Sequence, residues 1–351
     1  MSYPEVLPEA ALAGAQDVLP ADRPWQVRWD ILDEADRASL LRTAVPETVT
    51  VRTSGSTGSP RSWSRTRTQL LAEAGQLAAL WSDRDIDAVL AFAPPVHLYG
   101  LLTTVVLPAT LGVPVFFVPS YDVPLPPLAG LHLGVAAIPW TFPILERHRA
   151  ALTDVSTVSI LHSTAKLPAT AAEFTHRIGA DRVSVTEIFG STETGGVAHR
   201  RHPESAWTLF DDVSLVNGSG RGEVPLVVSG PRLAESLTQW DTGDFVEILD
   251  DRRLLFRGRR ARLRKINGVR VDLDEVQRHL FAATTCTDLA CLPVDDPLRG
   301  ESFSVLVVAD DFAERDLEAV VRAEAKNWGL APHEVLCVPR IDRTETGKIR
   351  G

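Results

Sequence analysis

From Val89 to Tyr121 the chain carries no Asp, Glu, Lys or Arg. Such a run exceeds the roughly 20 apolar residues that cross a bilayer, but Pro94, Pro95, Pro108, Pro114 and Pro119 interrupt it. The prolines divide it into VLAFA, YGLLTTVVLPATLG and VPVFFV. That pattern predicts buried strand, helix and buried strand of a parallel sheet rather than a membrane span. The rhythm repeats downstream: LGVAAIP precedes a helix-like TFPILERHRAAL, VSTVSILHS precedes a segment opened by Pro168, and VSVTEIFG precedes a glycine-rich turn. Such alternation predicts an α/β fold whose ligands lie beyond the carboxyl ends of the strands.

From about Glu223 the pattern changes to short alternating runs, EVPLVVSG, FVEILDD and RLLFRG, which predict a small antiparallel or barrel-like element. After Gly258 a basic stretch leads into GVRVDLDEVQRHLFAA, SFSVLVVAD, ERDLEAVVRAEAKNWG and VLCVP, the pattern of a small α+β domain. A boundary near Arg257 to Arg259 gives a large domain over 1–257 and a small one over 258–351. The length of 351 residues suits about two domains.

Composition narrows the classes. Thirty-six Lys and Arg stand against forty-six Asp and Glu, so the net charge of -10 has the wrong sign for coating nucleic acid or anionic lipid. Cys286, Cys291 and Cys337 form neither a disulfide framework nor a thiolate metal site. The opening MSYPEVLPEAALAG lacks a basic leader followed by an apolar segment, and a reducing cytoplasm is expected. His199 with His202 reads as surface rather than metal site.

Three loops after strands hold polar chemistry: TSGSTGSPR, GSTETGG and DTGD. The first, Thr53 to Arg61, is expected between a strand and a helix beginning near Thr66. Its glycines let backbone N–H groups converge on an anion, and its hydroxyls and guanidinium add donors and countercharge. On composition alone it is a phosphate cradle or a flexible turn, and the GxxxxGK[ST] spacing is absent. In EIFGSTETGG, Phe189 offers a stacking face, Thr192 a hydroxyl and Glu193 a carboxylate for Mg²⁺, or the segment is an ordinary polar turn. Asp241 and Asp244 accept from ribose hydroxyls or stabilise a turn. Lys348 lies on a polar tail, RTETGKIRG.

All four segments in this order resemble the ANL superfamily of adenylate-forming enzymes, which comprises acyl- and aryl-CoA synthetases, nonribosomal adenylation domains and luciferases. The resemblance runs from about Val49 to Gly351, with FRGRRARLRKINGVRVDLDEVQ similar to the family's interdomain GRxDxxIKxxGxRVxxxEIE region. It implies an ATP-dependent reaction in two steps. A carboxylate attacks the α-phosphate to give acyl-AMP and pyrophosphate, then a phosphopantetheine thiol captures the acyl group. By that resemblance Thr53, Ser54, Gly55, Ser56, Thr57, Gly58 and Arg61 grip the β- and γ-phosphates, and Phe189, beside Gly190 and Ser191, stacks on adenine. Thr192 contacts the α-phosphate, Glu193 binds Mg²⁺, Asp244 holds the ribose and Arg259 meets the nucleotide. Lys348 bridges carboxylate and phosphate oxygens, cancelling their repulsion and stabilising charge at phosphorus.

The chain departs from the family at three places. Arg61 replaces the usual Lys, a planar fork for a point charge. Ala261 stands where a hinge Asp is usual. Only fifty-two residues precede Thr53, where relatives have an additional subdomain, so the N-terminal segment or a second chain, including a second copy, is expected to cover sheet surface.

APPVHLYG resembles the acyl- and aryl-acid branches and lacks the Asp that holds an α-ammonium, so an acid without an α-amine is implied. His97 belongs to the acid pocket or to the core. Trp140, Ser163, Thr164 and Ala165, with His162, fall where relatives line that pocket, and Gly268 where they admit the pantetheine arm. Six of the nine residues from Arg257 to Lys265 are cationic. They form either a solvated strand face or a patch that steers an acyl carrier protein, or the phosphates of CoA, to the thiol entrance. The alternatives are acyl-CoA synthesis from free CoA, a non-catalytic nucleotide- or acyl-binding homologue, and an ordinary ATPase.

Overall fold

A computed structural model describes residues 3–14, 18–53, 61–216, 222–235, 237–266, 269–296, 300–309 and 314–343. The chain forms two compact units. The larger takes 1–218, 227–240 and 250–254, and the smaller takes 219–226, 241–249 and 255–351.

The larger unit begins with β1 (Trp25–Val27), β2 (Thr48–Thr53) and β3 (Arg61–Thr66). Strands β2 and β3 form an antiparallel ribbon in which Thr53 pairs with Arg61. The segment TSGSTGSPR therefore links two strands, and helix Arg67–Ala79 starts only after β3. The alternation in RSWSRT, with Trp63 and Arg65 turned inward, is what makes that stretch a strand. A reciprocal capping box between Thr66 and Gln69 then opens the helix.

Next come β4 (Ala88–Ala91), β5 (Val115–Phe117), β6 (His132–Ala137), β7 (Thr157–His162), β8 (Val183–Ser191), β9 (Gly195–Arg201) and β10 (Ala206–Leu209). They lie in the order β1-β5-β4-β6-β7-β8-β9-β10. From β5 to β8 all neighbours are parallel. β4 is buried at every residue, as an apolar run covered on both faces requires. The uncharged passage from Val89 is thus strand, helical segment 98–111 and strand, and no helix among the described residues is long and apolar enough to cross a membrane.

The N-terminal segment closes one sheet edge. β1 runs antiparallel to β5, with Trp25 stacked on Phe117 at 5.1 Å and Tyr3 edge-on to Phe116 at 5.5 Å. At the other end β11 (Ser214–Leu215) pairs with Ser229 and Val228 of β12 (Glu223–Ser229). Strands β12, β13 (Trp240–Ile248) and β14 (Arg253–Arg259) each start in one unit and finish in the other.

The smaller unit holds the hairpin of β15 (Leu263–Ile266) and β16 (Val269–Asp272). A three-stranded sheet follows, with β17 (Asp288–Asp296) antiparallel to β18 (Gly300–Val308) and β19 (Val335–Cys337) parallel to it. Helices Leu273–Ala283 and Glu314–Asn327 pack on it through Val276, Leu280, Leu317 and Val321, against Phe303 and Val305. This is the α+β pattern read from the sequence. Cys286, Cys291 and Cys337 form no disulfide with one another.

Candidate functional site

The carboxyl ends of the parallel strands gather several of the predicted residues. Past β4 the chain turns through Pro94 and Pro95 to His97, whose carbonyl accepts from Leu101 at the start of the helical segment. That segment crosses the turn so closely that a Cβ on Gly100 would sit 1.8 Å from the Pro94 carbonyl oxygen. Thr104 fixes the crossing by donating to the Ala93 carbonyl at 2.8 Å. Tyr99, in the first turn of the segment, donates its hydroxyl to the Leu161 carbonyl in β7 at 2.7 Å, and burial pushes its phenol pKa up. Past β6, Trp140 packs edge-on to Phe92 with ring centroids 6.0 Å apart. Past β7, Ser163 donates its hydroxyl to the Ile188 carbonyl in β8 at 3.0 Å, Thr164 adopts φ +77°, and Ala165 is exposed.

The hairpin of β8 and β9 holds the second group. The expected loop GSTETGG is shorter than the sequence suggests, because β8 continues through Ser191 and only Thr192 to Thr194 turn. The register shifts between Phe189 and Gly190, and a Cβ on Gly190 would lie 2.1 Å from the Gly195 carbonyl oxygen. The Thr194 hydroxyl accepts from the Ser191 N–H at 3.1 Å and donates to the Gly195 carbonyl at 2.7 Å. The Ala234 N–H donates to the Glu193 carbonyl at 2.8 Å.

Beneath this turn lies a charge network that the motifs did not reveal. The Glu73 carboxylate accepts from the Gly196 N–H at 2.6 Å. Its other oxygen stands 3.7 Å from Arg65 Nη2 and 3.5 Å from Arg232 Nη1. Arg232 grips Asp212 through two bonds of 2.7 and 2.8 Å and donates to the Gly196 carbonyl at 2.8 Å, while Arg65 donates to the Arg232 carbonyl. The side chains of Arg65, Glu73 and Arg232 are 1%, 6% and 2% exposed. Burial pulls the Arg65 guanidinium below its ordinary range, and the adjacent Glu73 opposes that pull. A Cβ on Gly195, at φ +70°, would meet Glu73 Oε2 at 2.4 Å, so glycine there lets the carboxylate reach the turn. The signal was present: Leu70, Glu73, Ala74 and Leu77 share one face of helix Arg67–Ala79, which puts a carboxylate in an apolar stripe.

Phe189 is half-buried, its ring 5.6 Å from that of Trp207. The Arg200 guanidinium lies 4.4 Å over the Trp207 ring and donates from Nε to Glu187 at 2.7 Å. Pairing sets Arg200 directly opposite Glu187, so the planes are stacked across three strands.

In the smaller unit, Asp244 is buried and accepts from Arg259 Nε at 3.0 Å. The segment DTGD, expected as a loop, lies inside β13, where Gly243 takes φ +75° and donates its N–H to Asp241 at 2.9 Å. That N–H bond holds the Asp241 carboxyl below the usual carboxylate range, and Arg260 lowers it further.

The basic stretch is not an open patch. Arg257 pairs with Glu247, Arg259 with Asp244, Arg260 with Asp241, Arg262 with Asp274, and Arg264 with Asp295 and Glu301. Each described arginine has an acidic neighbour in the same unit, which cancels most of the field that the sequence run suggests. Ala261 is exposed in the single 3₁₀ turn Arg260–Arg262. Ser54, Gly55, Ser56, Thr57, Gly58, Gly268 and Lys348, with the side chain of Thr53, lie outside the described residues.

Among the described residues no cluster of three or more His, Cys, Asp or Glu could cage a metal. Mg²⁺ bound through one carboxylate and substrate phosphates needs no such cage, so Glu193 fits that chemistry.

Residues 46–219 match the family described as AMP-binding enzyme. The 4-coumarate–CoA ligase of Rhodobacter capsulatus is 29% identical over 291 residues, covering 80% of this chain and 68% of that protein. The structure of ATP-bound MatB from Rhodopseudomonas palustris superposes with a TM-score of 0.68 at 19% identity, over 86% of this chain and 66% of that one. The chain thus spans about two thirds of the length of these relatives. The acyl-CoA synthetase (AMP-forming)/AMP-acid ligase II-like protein from Dyadobacter fermentans, with a TM-score of 0.52 and 19% identity, is matched over 97% of its chain and 93% of this one. Residues 46–219 thus belong to the AMP-binding enzyme family, and the chain as a whole is similar to the ANL superfamily of adenylate-forming enzymes.

Proposed function

We propose that this protein joins a carboxylic acid without an α-amine to AMP, releasing pyrophosphate, and then passes the acyl group to a phosphopantetheine thiol. The observation that carries the proposal is the β8–β9 turn, in which Phe189, Thr192 and Glu193 sit at one strand end on a turn pinned from below by Glu73 and Arg232. Phe189 would flank the adenine, Thr192 donate to the α-phosphate, and Glu193 hold Mg²⁺, which neutralises phosphate charge when bound. Asp244 with Arg259 would hold the ribose, with residues 53–58 and Arg61 on the outer phosphates and Lys348 on the reacting oxygens. Residues 1–257 would bind ATP and acid, and residues 258–351 would move between the two steps, with Gly268 at the thiol entrance.

ATP–pyrophosphate exchange across a panel of aryl, enoyl and fatty acids tests this reading. Exchange that depends on one acid class is expected. No exchange with any acid would indicate a nucleotide-binding homologue, and phosphate release without acid would indicate an ATPase.

The curated relative named 4-coumarate–CoA ligase supports free CoA as the acceptor. The paired arginines of 257–264 support it as well, because they leave little surplus charge to steer an acidic carrier protein. An acyl carrier protein remains the second acceptor to assay, since the small domain is where relatives dock carriers. Thioester formation with free CoA at least tenfold faster than with a carrier, about 1.4 kcal/mol in the barrier, is the expected result, and the reverse order would assign the carrier.

A separate prediction concerns the adenine wall. An aromatic pair is worth about 0.5–1.5 kcal/mol, so Trp207→Ala should raise KM for ATP about threefold to tenfold with kcat little changed. A fall in kcat alone would show that the Phe189 and Trp207 rings do not serve the nucleotide.

A further inference from the structure

Two residues at the carboxyl end of β7 carry polar atoms without partners among the described residues. His162 is 1% exposed, and neither its Nδ1 nor its Nε2 has a hydrogen-bond partner among them. Two residues on, the Thr164 hydroxyl is also buried without a partner among the described residues. Buried polar groups are nearly always satisfied, and each orphan costs stability, so three such atoms at one strand end need a reason. Thr164 adds a second anomaly. It holds φ +77°, a left-handed conformation that a β-branched residue rarely adopts, and such strain concentrates where ligands are gripped.

The surroundings indicate what the atoms could meet. The His162 ring faces Phe142, with centroids 5.8 Å apart, and the same apolar cluster takes in Phe92 and Phe174 and packs against Tyr99 and Trp140. Burial there pushes the imidazole down to about 4, so it is neutral at physiological pH. A neutral imidazole offers one donor and one acceptor, and a threonine hydroxyl offers both. That set complements another hydroxyl. A second carboxylate would instead need a countercharge in this aromatic setting. Ser163, between the two, is already committed to the Ile188 carbonyl and so fixes the strand end without competing for the ligand.

We infer that His162 and Thr164 form a polar subsite that recognises a neutral hydroxyl on the acid, so that the substrates are hydroxylated carboxylic acids rather than plain hydrocarbon or dicarboxylic ones. This rests on the reading that the protein adenylates an acid. His162 and Thr164 then act as specificity-determining residues, because an acid lacking the hydroxyl leaves their buried atoms unpaired in the complex.

The test uses the full chain and acid-dependent exchange on three matched pairs: 4-hydroxycinnamate and cinnamate, 4-hydroxybenzoate and benzoate, and 3-hydroxyoctanoate and octanoate, with malonate as the dicarboxylic arm. The wild-type protein should favour the hydroxylated member of at least one pair by roughly tenfold to a hundredfold in kcat/KM. Thr164→Ala and His162→Leu should each bring that ratio to within about threefold of unity. Thr164→Ser, which keeps the hydroxyl and sheds the β-branch, should restore the preference. If His162→Leu fails to fold by circular dichroism, the Thr164 pair of variants decides alone. Equal rates within every pair, a preference for malonate, or a ratio unmoved by the Thr164 variants would overturn the inference while leaving adenylation standing. Absence of exchange with every acid would remove the underlying reading, and the subsite with it.

Discussion

Glu73→Ala should destabilise the larger unit by about 3–5 kcal/mol, the penalty for removing one partner of a buried ion pair. The carboxylate stands between two guanidiniums that are almost wholly enclosed, and its loss leaves both without their shared counterion. It also orphans the Gly196 N–H, which has its bond to Glu73 at 2.6 Å. Urea unfolding of the intact protein reads this as a drop in the midpoint. Glu73→Gln separates the two contributions, because an amide oxygen still accepts from Gly196 while the charge is gone. It should recover part of the loss, and its exchange activity should exceed that of the alanine variant wherever both are folded. An unfolding free energy within about 0.5 kcal/mol of wild type, the range of ordinary surface substitutions, would show that the arginines are satisfied elsewhere and that Glu73 does not support the turn.

Lys348→Ala should lower acid-dependent pyrophosphate exchange by about a hundredfold to a thousandfold, as removal of one charge-stabilising donor typically does. The reason is electrostatic. Carboxylate and α-phosphate are both anionic, and the ammonium is the group that the family resemblance assigns to span them. Capture of a preformed acyl-AMP by the thiol involves no such approach of anions, so that half-reaction should keep most of its rate. Measuring the halves separately is therefore decisive, and an equal loss in both would make the tail structural.

The sheet was legible because strands such as β4 and β6 are nearly continuous apolar runs, the pattern of a strand buried on both faces. The turns were less so. DTGD reads as a loop by composition, yet Gly243 supplies a left-handed conformation inside β13 and the strand carries on. The segment RSWSRT was hidden for a related reason: its alternation is polar with only Trp63 and Arg65 turned inward, so period-two hydrophobicity is too thin to announce a strand. Phe189, Glu193 and Asp244 enter the proposed site through motif order, whereas Glu73, Arg232 and Trp207 carry no motif, since they contact the backbone and ring of other residues. The cationic run misled as a field because its acids are scattered, from Asp241 to Glu301, and fold back onto it.

The interleaving of β12, β13 and β14 between the units bears on how such a protein can be recombined. A cut after 257 separates Asp244 and Asp241 from Arg259 and Arg260, which they neutralise, so a fragment starting at 258 would inherit cations stripped of their mates. Swapping the small unit between homologues therefore requires exchanging three stretches of sequence together, and a single crossover point would graft a mismatched set of charges.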